Sequence, residues 1–165
     1  MDMIKKNIID AFQNVFEKFS LKKNTARKIC STCYEFIFVN TTSGLKIIYD
    51  LREGWLDIRI IRLINGLLVE DPHTGWLESK LNEVSLDYIV SYYNLESCIK
   101  PIYSFPEDSV YHTSENGFFL YCQLYVDQIL KYCSEILSGN FNNFDNFAEY
   151  MKHEAIKRKE TLSHK

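Results

Sequence analysis

The sequence predicts an α+β fold with an N-terminal helix, a three-stranded antiparallel meander and three or more C-terminal helices packed on one face of the sheet. Between residues 33 and 64, three short strand-type segments are joined by two tight turns, and sequence with helical periodicity lies on both sides. The length of 165 residues is that of one domain. We therefore predict a single α+β domain over residues 1–165, with a basic tail at about residues 158–165 that frays into solvent.

The first helix is predicted over residues 3–19. Its apolar residues recur at steps of three and four, which places them in one stripe along a helix, and lysines and other polar residues occupy the opposite side. The stripe consists of Ile4, Ile8, Ala11, Phe12, Val15 and Phe19.

The strands are predicted from the alternation of apolar and polar residues. The first is Cys33–Val39, and a turn at residues 40–44 leads into the second. In the second strand one face carries Leu45, Ile47, Tyr49 and Leu51, and the other carries Lys46, Ile48, Asp50 and Arg52. After a turn at residues 52–54, the third strand opposes Leu56, Ile58 and Ile60 to Trp55, Asp57 and Arg59. Helices are expected to cover the apolar face and to leave the charged face open.

Four local features complete the prediction for the sheet and the chain that follows it. The alternation breaks at residues 60 and 61, which predicts a β-bulge near Ile61. Ser85 is a good N-cap for a short helix ending near Asn94. Residues 71–75 form a turn cluster, and residues 98–116, with two of the three prolines, are predicted to be irregular.

Two longer helices are predicted near the C-terminus. A wide apolar stripe predicts one helix over residues 117–137, capped by Gly139. Cys122 and Cys133 lie on this stripe and are expected in the core. The final helix is predicted over residues 144–159.

Charge is distributed unevenly along the chain. The net charge is −3, but residues 1–28 hold seven basic and three acidic residues and residues 152–165 hold five and two. Residues 29–151 hold seven basic and seventeen acidic residues. An acidic body repels nucleic acid and favours basic partners, and simple solubility is the competing explanation.

The sequence also predicts the cellular compartment of the protein. The first residues lack an apolar run of signal-peptide length, and no window is long enough to cross a bilayer. The five cysteines are an odd number, which favours reduced thiols over a disulfide framework. We therefore expect a cytoplasmic protein with no membrane partner.

Motifs for chemistry are few. Cys30-Ser-Thr-Cys33 has the spacing of half a zinc site or of a redox pair, but no second such pair follows, and the motif enters a strand rather than a helix. His153-Glu154 lacks the second histidine of a zinc-protease motif, and phosphate-binding and nucleophile-elbow motifs are absent. His112 with Glu115 or Asp108 is a possible acid/base pair, although a solvated loop histidine explains it as well. We expect no enzymatic activity, no metal and no cofactor.

The charged face of the predicted sheet is the leading candidate for a binding surface. Its acidic residues near the second hairpin, together with Arg52, Arg59 and Arg62, are explained either by cross-strand ion pairing or by a cation or acid/base site. As an interface the face offers charge complementarity and a tryptophan. The predicted partner-binding residues are Asp50, Glu53, Trp55, Asp57 and Arg59, with Glu107, Asp108 and Glu115 as a second group.

Two segments resemble bacterial toxin-immunity-type proteins. They are YDLREGWLDIRIIRL, at residues 49–63, and ILSGNFNNFDNFAEYM, at residues 136–151, in which Asn140 stands where the pattern carries Asp. The resemblance implies a small cytoplasmic α+β protein that binds and neutralises a cognate toxin.

Three hypotheses for function follow. The first is a protein-binding module, an immunity-type inhibitor that occludes a basic toxin domain. The second is a small enzyme or ligand-binding regulator, with a pocket that contains His112 and lies between the sheet and the helix at residues 118–137. The third is a subunit that self-associates through the aromatic residues of the segment 91–94. The oligomeric state is left open.

Overall fold

The computed structural model describes residues 2–93 and 98–163. One antiparallel sheet follows the first helix, and the remaining helices follow the sheet. The strands are β1 (Lys22–Lys28), β2 (Cys33–Val39), β3 (Ser43–Asp50), β4 (Trp55–Arg62) and β5 (Glu83–Ser85). The helices are α1 (Asp2–Lys18), α2 (Leu86–Tyr93), α3 (Val110–Thr113), α4 (Gly117–Tyr132), α5 (Ser134–Leu137) and α6 (Phe144–Ser163), with a 3-10 turn at Ile102–Ser104.

The fold class is α+β, as predicted, but the sheet has five strands rather than three. They lie in chain order, β1-β2-β3-β4-β5, and the three predicted strands form its centre. The prediction missed β1 because Lys22–Lys28 reads KKNTARK and has no alternating apolar residues. Its basic, exposed side chains make it a poor template for pairing with another chain. The short β5 was not predicted. Ser85, the predicted N-cap of a short helix, is both the last residue of β5 and the residue before α2.

The strand register confirms most of the predicted facing. Leu45, Ile47 and Tyr49 are buried on one side of β3, and in β4 their direct partners Ile60, Ile58 and Leu56 share that side. Leu51 is an exception, since β3 ends at Asp50 and Leu51 is 40% exposed in the turn.

The predicted bulge near Ile61 is wrong. Ile61 pairs with Gly44 in an unbroken register. The alternation breaks in sequence because Ile61 is buried on the opposite face, in a small second cluster with Ile37 and Leu63. In the described strands a register shift occurs instead in β1, between Lys23 and Thr25.

The main core lies between one face of the sheet and the helices. It joins side chains from β2, β3 and β4 with side chains from α1, α2, α4, α5 and α6. The ring of Phe16 on α1 stacks on Phe38 of β2 with centroids 3.9 Å apart. Tyr121 and Tyr125 of α4 are buried and share a hydrogen bond of 2.9 Å between their hydroxyls, so the polar ends of these large rings are satisfied.

The C-terminal half follows the prediction with three corrections. The helix predicted at residues 117–137 is two helices, because α4 ends at Tyr132 and α5 begins at Ser134. The segment predicted to be irregular contains α3 and the 3-10 turn. The last helix continues to Ser163, past its predicted end. Gly139 caps α5 with φ of +92°, as expected, and Cys122 and Cys133 are fully buried. Asn94, the predicted end of α2, lies outside the described residues.

Candidate functional site

The face of the sheet turned away from the main core forms the floor of a cleft of about 800 Å³. Its walls are the loop around residues 70–76, which leads into β5, and the adjoining sides of α2 and α6. The floor includes the side chains of Glu35, Lys46, Trp55, Asp57, Arg59 and Glu83.

The strand register explains why these side chains share one face. Directly paired residues of neighbouring strands point to the same side of a sheet. Asp57 of β4 pairs with Ile48 of β3, which in turn pairs with Glu35 of β2. Lys46 of β3 pairs with Arg59 of β4. The charges therefore form two adjacent rows across the middle of the sheet.

An ion-pair network holds the floor together. Arg59 donates to Asp57 at 2.8 Å and to Glu83 at 2.8 Å, and the Lys46 ammonium contacts the other oxygen of Glu83. Burial opposes the charge of Glu83, but Lys46 and Arg59 outweigh it and hold the pKa of this carboxyl below its usual value. Burial likewise opposes the charge of Arg59, and its two carboxylate partners outweigh it and raise the pKa of the guanidinium.

A second group of ion pairs ties the edge strand to the wall. Arg27 of β1 donates to Glu35 at 2.6 Å and lies 3.4 Å from Glu70 of the loop. The Glu35 side chain is only 6% exposed, so an ionised carboxylate at this position requires such a partner. In the same wall, Asp71 accepts hydrogen bonds from the backbone N–H groups of Asn82 and Glu83 at 2.7 and 3.0 Å. These bonds fix the loop where it enters β5.

Asp87, in the first turn of α2, differs from the other acids of the cleft. Among residues 2–93 and 98–163, nothing donates a hydrogen bond to its carboxylate or forms an ion pair with it. Burial first, and then the neighbouring carboxylate of Asp57, raise the pKa of Asp87 to about 6, while the charge of Arg158 acts in the opposite direction. A half-buried carboxylate without a partner is an acceptor site for an incoming cation.

Aromatic side chains line the same cleft. The chain has two tryptophans, Trp55 and Trp76, and both are at the cleft. Tyr88 of α2 also lines it, and the Arg158 guanidinium lies 5.4 Å from the centre of the Tyr88 ring. Aromatic surface beside unsatisfied negative charge suits the alkyl stem and charged end of a lysine or arginine.

The structure brings together three of the eight predicted partner-binding residues. Trp55, Asp57 and Arg59 line the cleft. Asp50 and Glu53 lie at the β3–β4 turn outside it, where Asp50 accepts the N–H of Arg52 at 2.8 Å and Glu53 pairs with the Arg52 guanidinium at 2.8 Å. Ion pairs are therefore present at this hairpin, but they join residues one or two apart in sequence, Arg52–Glu53 and Arg59–Asp57, and the cross-strand pair of Arg59 is with Glu83 of β5.

The second predicted group lies elsewhere on the surface. Its members Glu107, Asp108 and Glu115 are exposed and do not line the cleft. Their segment does meet the second hairpin, because a Cβ added to Gly54 would lie 2.6 Å from a methyl of Ile102. His112 is exposed in α3 and is not a lining residue, and the cleft lies on the face of the sheet opposite the one predicted to hold a pocket.

Several residues of the cleft were not singled out from the sequence. They are Arg27, Glu35, Lys46, Trp76, Glu83 and Asp87. One signal was present: Glu35 and Lys46 are isolated charges inside apolar strands, a pattern that indicates a buried, paired charge. The position of Asp87 beside Asp57 carries no sequence signal, because it depends on how α2 packs against the end of β4.

Within the described ranges, no group of three or more histidine, cysteine or acidic side chains is arranged to hold a metal ion. The described helices also include none with the length and apolar character needed to cross a membrane.

The protein is α+β, and the sheet face turned away from the main core forms a cleft lined by charged and aromatic side chains. No family model, curated protein or solved structure matches the chain. The resemblance to toxin-immunity-type proteins therefore stays a prediction.

Proposed function

We propose that this protein is a protein-binding module that accepts a basic side chain of its partner in the cleft, and that it acts as an immunity-type inhibitor of a basic toxin domain. The observation that carries the proposal is the carboxylate of Asp87, which has no hydrogen-bonded or ion-pair partner among residues 2–93 and 98–163 and lies in a cleft that also holds both tryptophans. An incoming guanidinium or ammonium would neutralise this carboxylate at the place where burial makes its charge least favourable.

The other acids of the cleft already have partners, and two of them, Glu35 and Glu70, share the single cation Arg27. Arg59 and Lys46 already neutralise Asp57 and Glu83, and Asp71 is occupied by backbone N–H groups. Four arginines and lysines line the cleft against six acids, so its net charge is negative. The acid left over with no hydrogen-bonded partner in the described part of the chain is Asp87.

The wider charge distribution supports a basic partner. Residues 29–151 carry seventeen acidic and seven basic residues and include the floor of the cleft. A field of this sign accelerates the encounter with a positively charged protein, and the association rate falls as salt increases.

Intrinsic fluorescence gives a direct test, because both tryptophans report on the cleft. We expect an arginine-rich peptide to change the emission in a saturable way, and a glutamine-rich peptide of equal length to leave it unchanged. Asp87→Asn should weaken binding by about tenfold, which corresponds to about 1.4 kcal/mol. Glu107→Gln removes an exposed acid away from the cleft and is the matched control. Equal binding by both variants would contradict the role given to Asp87.

The inhibitor role is tested separately by co-expression with the product of the neighbouring gene. We expect the two proteins to copurify, and growth to be restored when this protein accompanies a toxic partner. Loss of both effects in Asp87→Asn, with Glu107→Gln unaffected, would link the role to the cleft. If the two proteins neither copurify nor restore growth, the inhibitor role is wrong even where the peptide binds.

A ligand-binding regulator is the second candidate. The volume of about 800 Å³ favours it, since ligand pockets occupy roughly 300–1,000 Å³. Native mass spectrometry of the purified protein distinguishes the two: a bound small cation that Asp87→Asn releases would favour a regulator.

A further inference from the structure

The pair Cys30 and Cys33 lies in the hairpin that joins β1 to β2. The N–H groups of Ile29 and Cys30 donate to the carbonyl of Cys33 at 3.0 and 3.4 Å, which places the two cysteine backbones side by side across the turn. Leu51 donates to the carbonyl of Thr32 at 2.9 Å, so the turn is also attached to the end of β3. The two cysteines are therefore held together by a fixed backbone frame.

Both thiols contact one hydroxyl. The Oγ1 atom of Thr32 lies 3.6 Å from the Cys30 sulfur and 3.7 Å from the Cys33 sulfur, and the N–H of Thr32 donates to the Cys30 sulfur at 3.4 Å. Because both sulfurs lie within 3.7 Å of the same hydroxyl oxygen, the two thiols are neighbours in space, and we expect a bond between them to close by side-chain rotation.

The two thiols differ in acidity, and the exposed thiol, Cys30, is the more acidic one. Hydrogen bonds from Cys33 first, and then from Thr32, lower the pKa of Cys30 to about 7. The bond to Cys30 first, and then burial, raise the pKa of Cys33. Cys30 is thus the exposed thiolate that can attack, and Cys33 is the adjacent thiol that keeps its proton.

The remaining cysteines lack this arrangement. Cys122 and Cys133 are fully buried, and burial raises the pKa of both, that of Cys122 to about 12. Cys98 is exposed, but its sulfur contacts the hydroxyl of Ser91 at 3.0 Å and the carbonyl of Asp87 rather than a second thiol.

We propose that Cys30 and Cys33 are a redox-active dithiol that closes reversibly to a disulfide by exchange with a low-molecular-weight disulfide such as oxidised glutathione. The Cys30 thiolate attacks one sulfur of that disulfide, forming a mixed disulfide and releasing one thiolate. Cys33 then loses its proton and attacks the Cys30 sulfur, which releases the second thiolate, and the proton leaves on it. The first released thiolate takes up a proton from solvent, which replaces the one that Cys30 lost on ionising. Relative to the dithiol, the protein therefore loses two protons and two electrons, and one glutathione disulfide becomes two thiols.

The pair lies beside the cleft, although the inference does not depend on the proposed function. Cys33 pairs directly with Asp50, and Asp50 pairs with Trp55, so the three residues form one row on the cleft face of the sheet. Closing the disulfide at one end of this row is expected to change the emission of Trp55, which gives an optical readout beside the chemical one.

The test equilibrates the full-length reduced protein with glutathione buffers of increasing oxidised fraction, followed by acid quenching and alkylation. Trypsin releases both cysteines in one peptide, residues 29–46, because no lysine or arginine lies between Lys28 and Lys46. We expect this peptide to become two hydrogens lighter and resistant to alkylation, and to revert on reduction. At pH 7 Cys30 should alkylate roughly fivefold faster than Cys33, since the pKa of Cys30 is lowered to about 7 and that of Cys33 is raised.

Single variants separate the two roles. Cys33→Ser should accumulate a glutathione adduct on Cys30, Cys30→Ser should leave Cys33 largely unmodified, and Cys98→Ser should close the disulfide as the wild type does. The proposal is overturned if Cys30 and Cys33 alkylate at equal rates, or if oxidation yields only links between molecules. It is also overturned if glutathione adducts accumulate on wild-type Cys30 without the internal disulfide.

Discussion

Lys46 on β3 reaches across β4 to form an ion pair with Glu83 on β5, and both side chains are largely buried, with exposed fractions of 9% and 14%. The short strand β5 has only three residues, so backbone pairing alone gives it few hydrogen bonds. Arg59 holds the same carboxylate from β4. The charged floor of the cleft therefore also fixes the edge of the sheet.

Removing the Lys46 charge should destabilise the fold. In Lys46→Met, Glu83 keeps Arg59 but loses its second partner in a largely buried position, so we expect the free energy of unfolding to fall by about 2–3 kcal/mol. Urea denaturation measures this change. Lys80→Met is the control, because Lys80 is 71% exposed and pairs at 3.3 Å with an exposed Asp145, and it should have little effect. Comparable losses in the two variants would contradict a structural role for the Lys46–Glu83 pair.

Asp87 should lower the stability of the unbound protein at neutral pH. Its pKa is raised from the ordinary 3.8 to about 6, so the folded state binds more protons than the unfolded state between these values. The free energy of unfolding therefore falls as pH rises through this window, by up to about 3 kcal/mol. Asp87→Asn should be more stable than the wild type at pH 7 and similar to it at pH 4. Denaturation curves at both pH values check this, and a variant less stable than the wild type at pH 7 would contradict it.

The same titration should control binding of a basic peptide. Below pH 6 the Asp87 carboxyl is protonated and offers no charge, so we expect tryptophan-monitored affinity to rise about tenfold between pH 5 and pH 7. The charged residues facing it are Asp57 on β4 and Arg158 on α6. His73 also lines the cleft, so His73→Gln is the control and should retain the pH dependence. If the dependence disappears in His73→Gln and persists in Asp87→Asn, the assignment to Asp87 is wrong.

Gly54 tests the contact between the second hairpin and the segment after Cys98. Its φ is +56°, and an added Cβ would meet a methyl of Ile102 at 2.6 Å. Gly66 has a similar φ of +75°, but its nearest neighbour would be 3.7 Å away, in ordinary contact. Both alanine variants strain the backbone, and only Gly54→Ala adds the clash, so we expect it to lose about 1 kcal/mol more. Thermal or urea denaturation measures the difference, and equal losses would show that Ile102 yields without strain.

The alternation of apolar and polar residues along the chain accounts for most of what was predicted correctly about the fold. Alternation along β3 and β4 separates Ile47 and Ile58 from Lys46 and Arg59, because successive side chains of a strand point to opposite faces and only one face meets the main core. The same rule put Trp55 and Asp57 on one surface before any contact was known. The prediction of a bulge at Ile61 was wrong because the rule assumes that only one face of the sheet is apolar, whereas the other face has a small hydrophobic cluster of its own.

The sequence by itself determined the fold class, the central strands, the buried face and the placement of Trp55 on the opposite face, since these follow from spacing along the chain. Tertiary structure alone decided the remainder. β1 has no apolar signal and exists because the backbone groups of β2 need hydrogen-bonding partners. Lys46 forms an ion pair with Glu83, which lies thirty-seven residues further along the chain. Asp87 lies near Asp57 because α2 packs beside β4. Charge pairing and desolvation depend on distance in space, and no spacing in a sequence encodes that distance directly.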